Sequence, residues 1–151
     1  MKNFKFIILP SKKLAWGFLI LFFIFDGISS YYGIAYQHAK EANLLIAPFV
    51  EKYPLLYFPM ILAEIVIMYL IYQILKLITL KIFKTIDKLL IEKMVLTSLV
   101  IYWLIGNSSG NILFLLGFRI STIWTNTTFA AIPVTLIYVL TTLYFVNKNA
   151  K

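Results

Sequence analysis

The chain has 151 residues, 62% of them hydrophobic and only 13% charged, where a soluble domain averages about 45–50% apolar and about 25% charged. That departure argues against a soluble globular domain, and the high apolar content equally excludes a disordered or collagen-like chain. The formal net charge is +8 and there is no cysteine, so disulfides, thiolate metal sites and cysteine nucleophiles are ruled out, and the lysines are either membrane-topology signals or a nucleic-acid surface.

At the N-terminus Lys2, Lys5, Lys12 and Lys13 precede an apolar run over about 14–36, enough for a helix to cross a hydrocarbon core about 30 Å thick. The run is too long for a signal-peptide core, and no small-residue cleavage site follows cleanly, so it reads as a retained span. Asp26 lies near its middle. Asp26, Ser29, Ser30 and Gly33 fall at i, i+3, i+4 and i+7 and share one polar, small-residue face.

The next loop balances Lys40 and Lys52 against Glu41 and Glu51. His38 and Glu41 would share a face if this piece were helical, a spacing used in some metal sites, and Asn43 follows. A plain interfacial histidine is the alternative reading. Residues 44–50 are apolar, contain Pro48 and precede Pro54. They are too few to cross and predict a re-entrant or interfacial piece.

The second predicted span, about 55–75, carries Glu64 in its outer half. Beyond it Lys81, Lys84, Lys88 and Glu92 recur at helical spacing, with Ile78, Ile82, Ile86, Leu89 and Leu90 opposite. This pattern predicts a basic amphipathic helix at the inner surface, or a continuation of the span. The third span, about 94–118, holds Asn107 and Asn111, and Gly106 and Gly110 are expected on the same face. The fourth, about 129–146, contains Pro133, a predicted kink. Asn126-Thr127-Thr128 is a glycosylation sequon expected in an outward loop.

Lysines concentrate before the first span, between the second and third, and at the C-terminus. Positive residues stay inside, so the chain is expected in the cell membrane, multi-pass, with both termini cytoplasmic. The charge is then mostly topological, and nucleic acid is not an expected partner. Tyr31, Tyr32, Tyr36, Tyr53 and Tyr57 suit an outer interfacial belt, Trp16 the inner one. These elements predict an all-α fold with a single domain: an integral membrane four-helix bundle with a basic amphipathic helix at the inner surface.

At 1.5 Å rise per residue, Asp26, Glu64 and Asn107 sit roughly 15, 14 and 16 Å below the outer ends of their spans, and Asn111 roughly 10 Å. Such groups need partners, because an ionisable side chain in the bilayer costs at least about 2.5–3.5 kcal/mol. Asp26, Glu64, Asn107 and Asn111 are therefore expected to form one polar node. Two readings stay open: polar packing between helices, or a site for a proton, a metal ion, a lipid headgroup or a hydrolytic water. Acids with amide oxygens would suit a hard divalent cation, but no metal ligand, cofactor or catalytic group is assigned. No GxSxG, HExxH, phosphate-loop or dinucleotide motif occurs, and the single histidine excludes a multi-histidine cage within one chain.

Asp26, Ser29-Ser30-Tyr31 and Glu41-Ala42-Asn43 resemble a family of small, uncharacterised prokaryotic membrane proteins. In that family a first-span Asp is followed by Ser or Thr, then by Glu-x-Asn-Pro, with Asn in a later span. The likeness covers about 25–43 plus Asn107 and Asn111. It departs at Leu44, where the family has Pro, and Glu64 does not map onto it. The resemblance implies a compact helical bundle in which Asp26, Glu41, Asn43 and Asn107 act as a set. It implies no activity.

The expected function is a non-enzymatic accessory, binding or transport component, surrounded by membrane lipids, with a protein partner or second copy left open. The alternative is an intramembrane enzyme, hydrolase-like on lipid or peptide, using the paired carboxylates as acid and base.

Overall fold

Ser11 starts the first helix: its Oγ accepts the Leu14 N–H at 3.1 Å, meeting one of the backbone donors that a helix N-terminus leaves open. The structure is a computed structural model. It describes residues 11–37, 40–41, 46–84, 86–118 and 120–149, with side-chain detail for all of these except 120–129 and 145–149. The described chain is all-α. Helix α1 is Lys12–Gln37, α2 is the short Ala47–Val50, and a 3-10 turn at Pro54–Leu56 leads into α3, Tyr57–Ile82. Helix α4, Lys88–Trp103, continues through a π-helical turn at Leu104–Ser108 into α5, Ser109–Leu115, and α6 is Ile120–Asn149.

Three helical runs are long and apolar enough to cross a membrane: Lys12–Gln37, Pro54–Ile82 and Lys88–Leu115. The shorter stretch Ala130–Tyr144 in α6 is also apolar. The first, second and fourth predicted spans fall inside helices, while the third, expected to reach about 118, ends at Leu115, and two further differences stand out. Helix α6 begins at Ile120, about nine residues before the expected span, so the backbone of Asn126 lies within a helix and not in a loop. The reason is the tight turn before it. Gly117 takes φ +91°, its N–H bonds to Phe114 O at 2.8 Å, and Phe118 N–H bonds to Leu113 O at 3.1 Å. This is a Schellman closure, in which glycine suits the left-handed position, and it leaves little chain between α5 and α6.

The second difference concerns the lysines of the second connection. No separate basic helix forms there among the described residues. Lys81 lies in the last turn of α3, Lys84 in the link, and Lys88 at the start of α4. The break is local chemistry: the Asp87 side chain accepts the Leu90 N–H at 2.9 Å and caps a new helix.

Burial shows how the helices pack. On α1 the buried residues Ala15, Leu19, Phe23 and Gly27 recur every fourth position, the stripe that a 3.6-residue period lays along one face. On α3 only Tyr57, Met68 and Tyr72 are buried. Helix α4 is enclosed, every residue from Met94 to Val100 being buried. It packs against α1, α3 and α6. The main apolar core joins Leu19 and Phe23 of α1 to Met68 of α3 and to Ile91, Leu96 and Leu99 of α4. Trp103 packs here, edge-on to Phe23 at 4.6 Å between ring centres. Outward, the molecule is apolar: Leu62, Leu70 and Leu77 of α3 and Ile137 and Leu140 of α6 are each more than half exposed.

Candidate functional site: a carboxyl cluster where α1 ends and α3 begins

Gly27 brings α1 against α3. A side chain at this position would place its Cβ 2.5 Å from Ile61 Cδ1 and Cγ1, so anything larger than glycine requires Ile61 to shift. Ile61 shares its face of α3 with Tyr57 and Glu64, at i−4 and i+3. The contact therefore sets Glu64 and Tyr57 beside Asp26, the residue before Gly27. Ser29, one turn further along α1, bonds to its own backbone at Phe25 O, 2.7 Å, and Asp26 O, 3.0 Å. This satisfies its hydroxyl without a partner from another helix.

Asn111 of α5 donates a side-chain N–H to Asp26 Oδ1. Tyr57 Oη donates to Glu41 Oε2, and the Glu41 backbone N–H donates to Glu51 Oε1 at 3.0 Å. Asp26 and Glu41 lie near Glu64, and Glu41, Asp26 and Glu51 lie near Tyr57. Four of the chain's six acids thus gather at one end of the helices.

The other end is the reverse. There the starts of α1 and α4 meet the end of α3. Lys12 Nζ pairs with Glu92 Oε2 at 2.6 Å, and Lys76 Nζ lies 5.3 Å from the centre of the Tyr72 ring.

The chain matches no protein-family model, no curated protein and no solved structure.

Of the expected node, Asp26 and Asn111 are joined directly and Glu64 stands within Coulombic range. Asn107 is half-buried on the π-helical turn and takes no part in the Asp26–Asn111 bond. Gly106, Ser108 and Gly110 are buried, while Asn107 and Asn111 are both half-buried. Glu41, expected in an outer loop, joins the cluster. His38 and Asn43 lie outside the described residues. Among the described residues no group of three or more histidines and acids is arranged to hold a metal ion.

Tyr57 and Glu51 do not stand out as site residues in the sequence. Tyr57 reads as part of the aromatic belt, although its spacing of seven from Glu64 puts both on one face. A second polar seam lies on α6. Thr135, Tyr138 and Thr142 of α6 fall at i, i+3 and i+7, and Tyr138 lies beside Thr97 of α4 and Thr142. Trp103 Nε1, Ser108 Oγ and Thr135 Oγ1 are buried without a hydrogen-bond partner among the described residues. The helical spacing of the three α6 residues is the signal that would have found it.

Proposed function

We propose that the chain is a multi-pass membrane protein with four crossings and both termini in the cytoplasm. On this reading it is a non-enzymatic binding or transport component, and its binding group is the Asp26–Glu41–Glu64 carboxyl cluster. The membrane part rests on three apolar helical runs and on the outward-facing apolar side chains, which water would not tolerate over so large an area. The orientation rests on the lysines, which collect where α1 and α4 begin and α3 ends, the side that the positive-inside rule assigns to the cytoplasm. The resemblance of 25–43 to small helical membrane proteins belongs to the same proposal.

One arrangement carries the functional part: Gly27, next to Asp26, packs against Ile61 of α3, one turn from Glu64, Tyr57 of the same helix bonds to Glu41, and the donor on Asp26 is a neutral amide. Like charges so placed in a low dielectric repel strongly, and a proton bound among them relieves the repulsion. The described carboxyls do not converge on a metal-sized point, so a proton suits the cluster better than a metal ion. Transport through so few crossings would draw on a second copy or a partner subunit.

The test is proton movement into vesicles containing the purified chain, driven by a potassium diffusion potential. The expected result is flux that Asp26→Asn and Glu64→Gln each abolish while helicity is kept and the protein stays folded at the assay temperature. Equal flux in all three proteins would make the cluster a packing device.

A further inference from the structure

We infer that the basic end of the molecule is a docking rim for an anionic phospholipid. Two lysines at 12–13 and five between 76 and 93 face two acids in the same stretches, and both acids are already engaged. Glu92 is held by Lys12 at 2.6 Å, and Asp87 caps α4 through the Leu90 N–H at 2.9 Å. Lys13, Lys81, Lys84 and Lys88 are exposed, so the rim presents surplus positive charge to whatever lies beside it. Tertiary packing fixes that charge in one place. The Lys12–Glu92 pair ties α1 to α4, and Lys76 lies against Tyr72 of α3, whose ring meets Trp16 of α1 edge-on at 5.6 Å.

The neighbouring surface narrows the ligand class. Leu77, Ile78 and Ile82 of α3 and Leu89 of α4 are about half exposed or more, interleaved with the lysines. A soluble acidic protein or a nucleic acid would match the charge and leave these side chains in water. A phospholipid matches both: its phosphate meets the ammonium groups and its acyl chains cover the aliphatic ones. Juxtamembrane lysines attract an anionic leaflet by this means, and the stems of long basic side chains lie along apolar surface while the charged heads reach outward. This inference rests on the membrane reading but not on the carboxyl cluster, so Asp26→Asn leaves it unchanged.

The experiment is native mass spectrometry of the full chain from mixed micelles holding equal phosphatidylglycerol and phosphatidylcholine. The expected result is preferential retention of phosphatidylglycerol. The triple variant Lys81→Gln, Lys84→Gln, Lys88→Gln removes exposed groups only, and it should lower that preference by about fivefold for each lysine. The variant Lys40→Gln, Lys52→Gln, with its changes at the acidic end, should keep it. Equal retention of the two lipids by the unaltered chain, or an undiminished preference in the triple variant, overturns the inference. So does a preference lost equally in the Lys40→Gln, Lys52→Gln variant, which would mean that total charge and not this rim is responsible.

Discussion

Asn111 donates a hydrogen bond to Asp26 across 85 positions of sequence, joining the far half of α1 to the helix that follows the π-helical turn. Polar contacts between helices in a membrane average about 0.6 kcal/mol and reach about 1.7. Asn111→Leu should therefore lower stability by about 1–2 kcal/mol, because it also leaves the carboxyl without its donor. Asp26→Asn should cost less, since an amide pair can still form. A double-mutant cycle on unfolding in mixed micelles checks this, and a coupling near zero would mean that the two residues do not interact.

Gly27→Ala places a methyl group 2.5 Å from two Ile61 carbons. Overpacking of this kind costs about 1–3 kcal/mol. The melting midpoint should fall, and Ile61→Ala in the same chain should restore much of it. A rescue confined to this pair would show that α1 and α3 are held at glycine distance; failure of the second change to help would refute it.

Lys12 is 45% exposed at its side chain and Glu92 only 10%, so the two ends of the ion pair are not equivalent. Solvent limits the attraction itself to about 0.2–1 kcal/mol. Removing the lysine leaves the Glu92 carboxylate without its hydrogen-bonding cation, with Lys76 and Lys88 still nearby, so Lys12→Met should destabilise by about 1 kcal/mol. Adding Glu92→Met should recover most of that loss. Chemical denaturation of the two variants side by side gives the answer, and a double variant less stable than the single one would contradict it.

Ser108 is 1% exposed, and its hydroxyl has no hydrogen-bond partner among the described residues. An unmet buried polar group costs about 1–3 kcal/mol. Ser108→Ala is accordingly expected to raise the melting midpoint. A fall would show that the hydroxyl is satisfied in the working protein.

The sequence made the long helices readable because apolar runs of this length have few other uses. It also made the meeting of Asp26 with Asn111 readable to within a turn, since depth follows from counting residues. Helix phase was not readable. Nothing in Leu104–Ser108 announces the π-helical turn there. The start of α6 was hidden because Ser121, Thr122, Asn126 and Thr127 resemble a loop by composition. The lysine pattern divides between two helices: α3 continues the span as far as Ile82, and Asp87 then caps a new helix. Tyr57 and Glu51 escaped notice because each is ordinary alone and gains meaning only from Glu41.

The π-helical turn has a consequence for tracing the ancestry of this protein. One additional residue rotates everything after it by about 100° about the helix axis, and Asn111, which bonds to Asp26, lies just beyond that turn. A cousin that had lost the insertion would need its amide displaced along the chain to keep the contact. Patterns with rigid spacing would therefore pass over such a cousin, and an alignment of this stretch has to permit a gap of one.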